Sequence, residues 1–473
     1  MHLYSTLAAV LVAAKSTLAN SPDQITNLDL GPEVASQHGC NLTCQASLEL
    51  MNRKDLSIVG TSFDAEFYAT SASFNSSSPG DILKMESFDA SNLQIPPSIK
   101  TYRFQYTSID VNGSLAPSTG FLALPSPNPN DTEIKLNLIA WAHSTIGLHR
   151  GCVPSSAKGL WELGIFGPLL TEGYAVVATD YVGLGTNHTS HKYLSLADHA
   201  NDIYYSVLAI RKVFPDLFNV KWMSIGYSQG GGAVWKLSEH PLVQDSRSGY
   251  VGTVAIAPVV NALDLATTGY DKILPGISSD EIFTKAETPL LLMGIKAAFP
   301  EYQMPWAAQA LKERIQYASA AQSCLFATVA LTIDLTDKQF IASGAAIPMN
   351  DDVLKEWTRQ HAAAQGALAS MPLLVIQGLN DTAIPPECTR RAYKNASRVN
   401  RVRLEFARLD HFDMIDASQP TLLKFVRDRF SDKPKDLEMS SHIIHTDELL
   451  TIRPCLDVDK ARVSDTSGDV LQA

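Results

Sequence analysis

No stretch of the sequence reaches the ~18 consecutive apolar residues that a membrane-spanning helix requires, so no integral membrane contact is expected. Basic residues are scarce: 38 Lys and Arg stand against 49 Asp and Glu, the net charge is −11, and no basic block occurs. Such a chain gains nothing from counterion release or polybasic attraction, which argues against nucleic acids and anionic membranes as partners. There is no Walker loop, no HExxH, no CxxC…CxxC and no paired-carboxylate glycosidase pattern, so no metal and no cofactor are implied. No internal repeat is visible.

What is present reads as a large folded chain. Of 473 residues, 45% are hydrophobic, enough for a sizeable core and too many for wholesale disorder. Residues 1–19 resemble a signal peptide, with a short apolar run from Leu7 to Ala14 and small residues Thr17 and Ala19 before the expected cleavage point. Two further features agree with a secreted, extracellular protein. The six cysteines (Cys40, Cys44, Cys152, Cys324, Cys388, Cys455) form an even set that an oxidising compartment would pair, although six allow 15 pairings. Seven N-x-S/T sequons occur; Asn41, Asn75, Asn112, Asn130, Asn187 and Asn395 are the expected glycosylation sites. The seventh, Asn380, is expected to border a buried site and stay unmodified.

Residues 20–100 are polar and loop-rich and suggest an extended N-terminal arm. From residue 101 to 261 the texture changes. Short apolar runs recur at Leu136–Ala142, Tyr174–Thr179, Trp222–Gly226 and Val251–Ala257, then again at Leu373–Gln377 and Val402–Phe406 within 356–432. Continuous apolar strands mark a parallel sheet buried on both faces. Helical periodicity fills the gaps, as in 196–214, so the fold class is α/β with a mostly parallel, doubly wound sheet. The strand rhythm breaks between 262 and 355, where an Ala/Leu/Met-rich stretch predicts an inserted helical cap. Its apolar clusters (Leu290 to Met293, Ala297 to Phe299, Met304 to Trp306) exceed what a solvated helix face should carry; two readings stand, that they bury themselves against the sheet or that some line a substrate pocket. Residues 433–473 read as a polar C-terminal tail.

Gly226-Tyr227-Ser228-Gln229-Gly230 is a G-x-S-x-G motif placed between a strand candidate and a helix candidate. That context is what a nucleophile elbow requires: a sharp turn lifts the serine hydroxyl clear of the sheet at a helix N-terminus. Ser228 needs a base, because a free hydroxyl is a weak nucleophile. In the chain order Ser, Asp, His, the partners are Asp381, after the strand Leu373–Gln377, and His411, after Val402–Phe406. His411 would take the Ser228 proton and Asp381 would hold the far ring nitrogen. His188, His191 and His199 precede Ser228 and fall in the wrong order; Asp180 does too and is read as structural. The oxyanion donors expected are the backbone N–H groups of Gln229 and Ser144, the latter in the loop after Leu136–Ala142.

Five segments together resemble the fungal secretory lipase family, α/β-hydrolases of the yeast lipase A type. They are Phe67-Tyr68 with Pro79-Gly80-Asp81-Ile82-Leu83; the paired strands around Tyr102 and Gly120; His143-Ser144-Thr145-x-Gly147 leading to Cys152-Val153-Pro154-Ser155; Thr179-Asp180-Tyr181-x-Gly183-Leu184-Gly185 with Lys192-Tyr193-Leu194; and the elbow through His411. The likeness spans about residues 64–430. It implies an α/β-hydrolase fold with a cap over a hydrophobic acyl tunnel, and disulfides Cys152–Cys324 and Cys388–Cys455. Similar proteins include esterases that deacylate fungal secondary metabolites, such as trichothecene C-3 esterases. Ser144 stands where many relatives have Gly or Asp, and Gln229 where several have Gly. The expected activity is hydrolysis of a small-molecule ester of a hydrophobic alcohol, lipid or secondary metabolite, through an acyl-enzyme. Two rivals are an acyltransferase using the same triad with an alcohol acceptor, and a non-catalytic recognition protein on a hydrolase fold.

Overall fold

The computed structural model describes residues 24–88, 93–125, 135–273, 282–343, 348–433 and 441–444. The expected signal peptide, Asn130, Cys455 and most of the tail lie outside these.

Ten strands form one sheet in the order β1-β2-β3-β5-β4-β6-β7-β8-β9-β10. They are β1 (Ile82–Ser87), β2 (Lys100–Ile109), β3 (Leu115–Leu124), β4 (Leu136–Ala142), β5 (Ala175–Thr179), β6 (Phe218–Tyr227), β7 (Tyr250–Ile256), β8 (Leu373–Gly378), β9 (Val402–Ala407) and β10 (Ser441–Ile444). The first three pair antiparallel, and β3 also runs antiparallel to β5. From β5 through β4 and on to β10 every pair is parallel. Each apolar run read from the sequence is a strand, because burial on both faces leaves no polar alternation to find. In β4, Leu138, Ala140 and Ala142 face one core while Ile139 and Trp141 face the other.

The helices of nine residues or more are α1 (Leu42–Val59), α2 (Leu163–Thr171), α3 (Leu196–Val213), α4 (Gln229–Ser238), α5 (Ala262–Ile273), α6 (Ile282–Ala298), α7 (Gln309–Ala320), α8 (Asp352–His361), α9 (Pro386–Ala396) and α10 (Asp413–Phe430). α3 and α4 join the core on one face, and α2 and α10 that on the other. Among the described residues, the stretch between β7 and β8 holds α5 to α8 and no strand. Its buried Leu290, Leu291, Leu292, Met293 and Ile295 run into the same core as α3 and α4.

The N-terminal segment departs from the extended arm expected. α1 is an 18-residue helix, opened by the Asn41 side chain accepting from Cys44 N–H and closed at Gly60. It docks on the short helix Leu325–Ala330, where Asp55 accepts the backbone N–H groups of Phe326 and Ala327 at 3.1 and 2.8 Å. The buried Arg314 guanidinium donates to the carbonyl oxygens of His38 and Gly39 and pairs with Asp334, fastening the same segment to α7. Cys152 and Cys324 are disulfide-bonded, as the family resemblance implied. Cys40 and Cys44 form a second bridge, a pairing left open by the sequence. Cys388 has no disulfide among the described residues, and its expected partner Cys455 lies outside them.

Candidate active site

β4 lies between β5 and β6, so the chain leaves its first parallel strand in opposite directions on either side. Ligand crevices of doubly wound sheets form at such a switch, outside the strand C-termini. Ser228 follows β6 there, and His143 and Ser144 follow β4. Ser228 has φ 55° and ψ −115°, and α4 begins at the next residue. The turn is held by Ser228 N–H donating to Ile256 O and by Ser228 O accepting from Gly232 and Val259 N–H. It is possible only with glycine on both sides. A Cβ on Gly226 would lie 2.2 Å from Gly230 O, and one on Gly230 would lie 1.9 Å from Ala142 O.

Three residues separated by up to 183 positions meet at this turn. His411 Nε2 is 3.2 Å from Ser228 Oγ, and His411 Nδ1 is 2.8 Å from Asp381 Oδ2. All three are about 5% exposed or less. Asp381 is itself fixed: Oδ1 accepts Ile384 N–H at 2.8 Å and Oδ2 accepts Gln377 Nε2 at 3.0 Å. Gln377, at the end of β8, is oriented in turn by accepting the Thr389 hydroxyl at 2.7 Å. Tyr227 donates to the His411 carbonyl oxygen at 3.0 Å and lays its ring 5.0 Å from the imidazole. The neighbouring Asp410 accepts the N–H groups of Phe412 and Asp413 at the start of α10, an end-capping role. Asp180 accepts from Thr119 Oγ1 and from the N–H and hydroxyl of Ser155, consistent with a structural part.

Gln229 is the first residue of α4, so its N–H has no carbonyl one turn back and points out of the helix N-terminus. Its side chain is held by His191. With Nδ1 directed at Val182 O, 3.0 Å away, His191 Nε2 is left to accept from Gln229 Nε2 at 3.3 Å. Burial pushes His191 down to about 4, which keeps this imidazole neutral. Chain order set His191 aside as a base; what the sequence did not reveal is its contact with the side chain of the residue after the serine.

Ser144 requires a correction. Its N–H donates to Glu162 Oε1 at 3.0 Å and its hydroxyl donates to the same oxygen, while Trp141 Nε1 donates to Glu162 Oε2 at 2.9 Å. A buried carboxylate needs such donors, so the N–H expected to serve an oxyanion is engaged elsewhere. Burial pushes Glu162 up to about 7 against these three hydrogen bonds. No sequence pattern singled out Glu162, which lies 18 residues after Ser144.

Of the candidate pocket residues, Met293 lines a cleft of about 630 Å³ between α6, α7 and the loops around His149 and His188. Phe299 instead packs edge-on to Trp357, partly buried against the core, and Trp306, buried in it, donates its N–H to Asp351. Asn41, Asn75, Asn112, Asn187 and Asn395 are exposed, and so is Asn380, which was expected to border a buried site. Among the described residues no group of His, Cys, Asp and Glu could hold a metal ion.

Sheet order, elbow and the three converging side chains define an α/β-hydrolase. A family model of the secretory lipases matches residues 157–437, more than half of the sequence, and the chain belongs to that family of carboxylic ester hydrolases. Candida antarctica lipase A superimposes with a TM-score of 0.63 at 13% identity, covering 81% of this chain and 91% of that one. The rice cell wall degrading esterase LipA from Xanthomonas oryzae gives 0.58 at 19% identity, covering 76% and 100%. These identities carry the fold alone. No protein with a curated description matches the sequence.

Proposed function

We propose that this ester hydrolase is a secreted serine carboxylesterase whose nucleophile is Ser228. The observation that carries the reading is the continuous chain Ser228 Oγ to His411 Nε2 at 3.2 Å and His411 Nδ1 to Asp381 Oδ2 at 2.8 Å. His411 removes the hydroxyl proton as Oγ attacks the ester carbonyl, and Asp381 stabilises the imidazolium so formed. The oxyanion develops against the Gln229 N–H and the positive end of α4. His411 returns the proton to the leaving alcohol. It then deprotonates a water that attacks the acyl-enzyme, releasing the acid and regenerating Ser228. The apolar make-up of α6, packed into the same core as α4, favours a hydrophobic acyl or alcohol group. Two disulfides fit an oxidising compartment, and the exposed sequons fit passage through one.

The test is a panel of p-nitrophenyl esters of graded chain length with wild type and Ser228→Ala, beside fluorophosphonate labelling. Wild type should turn over and label at Ser228. Ser228→Ala should lose on the order of 10⁴-fold in kcat or more, because triad members act as a unit. Activity of Ser228→Ala within tenfold of wild type refutes the assignment.

A further inference from the structure

Glu287 stands on α6 with Leu291 and Gly294, at spacings of four and three and therefore on one face. At Gly294 that face meets Tyr193 so closely that a Cβ would lie 2.6 Å from the Tyr193 backbone nitrogen. The face is thus pinned to the Tyr193–Leu194 segment, and Glu287, Thr288, Leu291, Tyr193, Leu194 and Ala383 line a cavity of about 20 Å³ there. Ala383 is two residues beyond Asp381. The Tyr193 hydroxyl is already hydrogen-bonded to Thr145 Oγ1 at 2.9 Å.

Glu287 itself forms no ion pair or hydrogen bond among the described residues. Burial pushes its carboxyl up to about 7, with His411 drawing it down and Asp381 raising it, so it lies within electrostatic reach of both. Its side chain is only partly buried and lines the cavity, where no protein donor among the described residues meets its oxygens; a partly desolvated carboxyl without a partner is costly, and more so when ionised. Such a group gains when a donor arrives with the ligand. A space of this size admits one water-sized group, and the largely apolar walls favour an uncharged donor over an ammonium.

We propose that Glu287 is a specificity-determining residue: in this cavity its carboxyl accepts a hydrogen bond from a hydroxyl of the ester substrate, so the enzyme prefers hydroxylated esters. This rests on the serine-esterase reading. It is tested with matched esters that differ by one hydroxyl. On the alcohol side these are cyclohexyl acetate against the monoacetates of 1,2-, 1,3- and 1,4-cyclohexanediol. On the acyl side they are ethyl hexanoate against its 3-hydroxy and 6-hydroxy derivatives. The readout is the ratio of kcat/KM, hydroxylated over parent, within each protein. Wild type should favour at least one hydroxylated ester by about tenfold or more. The ratio should fall to about one in Glu287→Leu and stay above one in Glu287→Gln, which keeps an accepting carbonyl. Glu287→Met, closer in shape, provides the same comparison if the leucine variant does not fold. Parent esters turned over by wild type without any such preference, or a preference that survives in the leucine or methionine variant, overturn the role of Glu287 and leave the esterase reading standing. Failure to hydrolyse any ester, with no labelling of Ser228, overturns the esterase reading itself.

Discussion

Removing the Cys152–Cys324 disulfide isolates one structural element whose contribution can be worked out in advance. The bridge joins residues 172 positions apart. In the chain-entropy treatment a closed loop of that size restrains the unfolded chain by about 5 kcal/mol, an upper figure because denatured chains keep some structure. The Thr26 hydroxyl touches both sulfurs, but two hydrogen bonds at the junction involve neither of them. Leu325 N–H still donates to Ile146 O at 3.0 Å, and Cys324 N–H to Asn27 Oδ1 at 2.8 Å. The double variant Cys152→Ala/Cys324→Ala should therefore fold and lose about 3–5 kcal/mol. Equilibrium urea unfolding, followed by tryptophan fluorescence with oxidised wild type as reference, gives the number. Each single variant should lose a similar amount, since either one opens the loop. A double variant less than about 1 kcal/mol below wild type would refute the reasoning, showing that the bridge does not restrain the unfolded chain as its span demands.

Two further outcomes follow from packing and titration. Gly294→Ala places a methyl against the Tyr193 backbone at 2.6 to 2.8 Å, so α6 must shift; it should cost about 1–3 kcal/mol in urea unfolding and change the acyl-chain ranking, and wild-type behaviour in both would contradict the close contact. The pH dependence of stability should be asymmetric. Asp55, Glu162, Asp202, Glu239 and Glu287 are pushed up to about 7, mainly by burial, so the folded state holds protons that the unfolded chain releases near pH ~4, and stability falls as pH rises toward 7. His143, His149, His191, His240 and His361 are pushed down to about 4, again by burial, and act with the opposite sign up to the unfolded value of ~6.5. The two sets oppose between about pH 4.5 and 6.5, and above that only the carboxyls remain. Tm in differential scanning calorimetry should be nearly flat to about pH 6.5 and then decline toward 8; a rise over that upper interval would show the carboxyls are not held protonated.

Local pattern determined much of this protein. The buried strands were legible because both of their faces are covered, which makes continuous apolar runs. The meeting of Ser228, Asp381 and His411 was legible because each follows such a run in the chain order Ser, Asp, His. The glycines at 226 and 230 were legible as a tight turn. Other features depend on residues far apart in sequence. α1 was missed although Asn41 and Gly60 mark its ends: its buried side chains are few, and the partner that makes it worth folding is a short helix some 270 residues later. Glu162 could not be paired with Ser144, nor Glu287 with the cavity beside Asp381, because a carboxyl's environment is set by what folds over it and carries no periodic signature. How the cap residues pack likewise depended on the approach of α6 to Tyr193. Met293 is buried in the core and also edges a cleft, whereas Phe299, six positions on, is only partly buried against Trp357. Periodicity reports whether a side chain is buried; only the assembled chain decides against what.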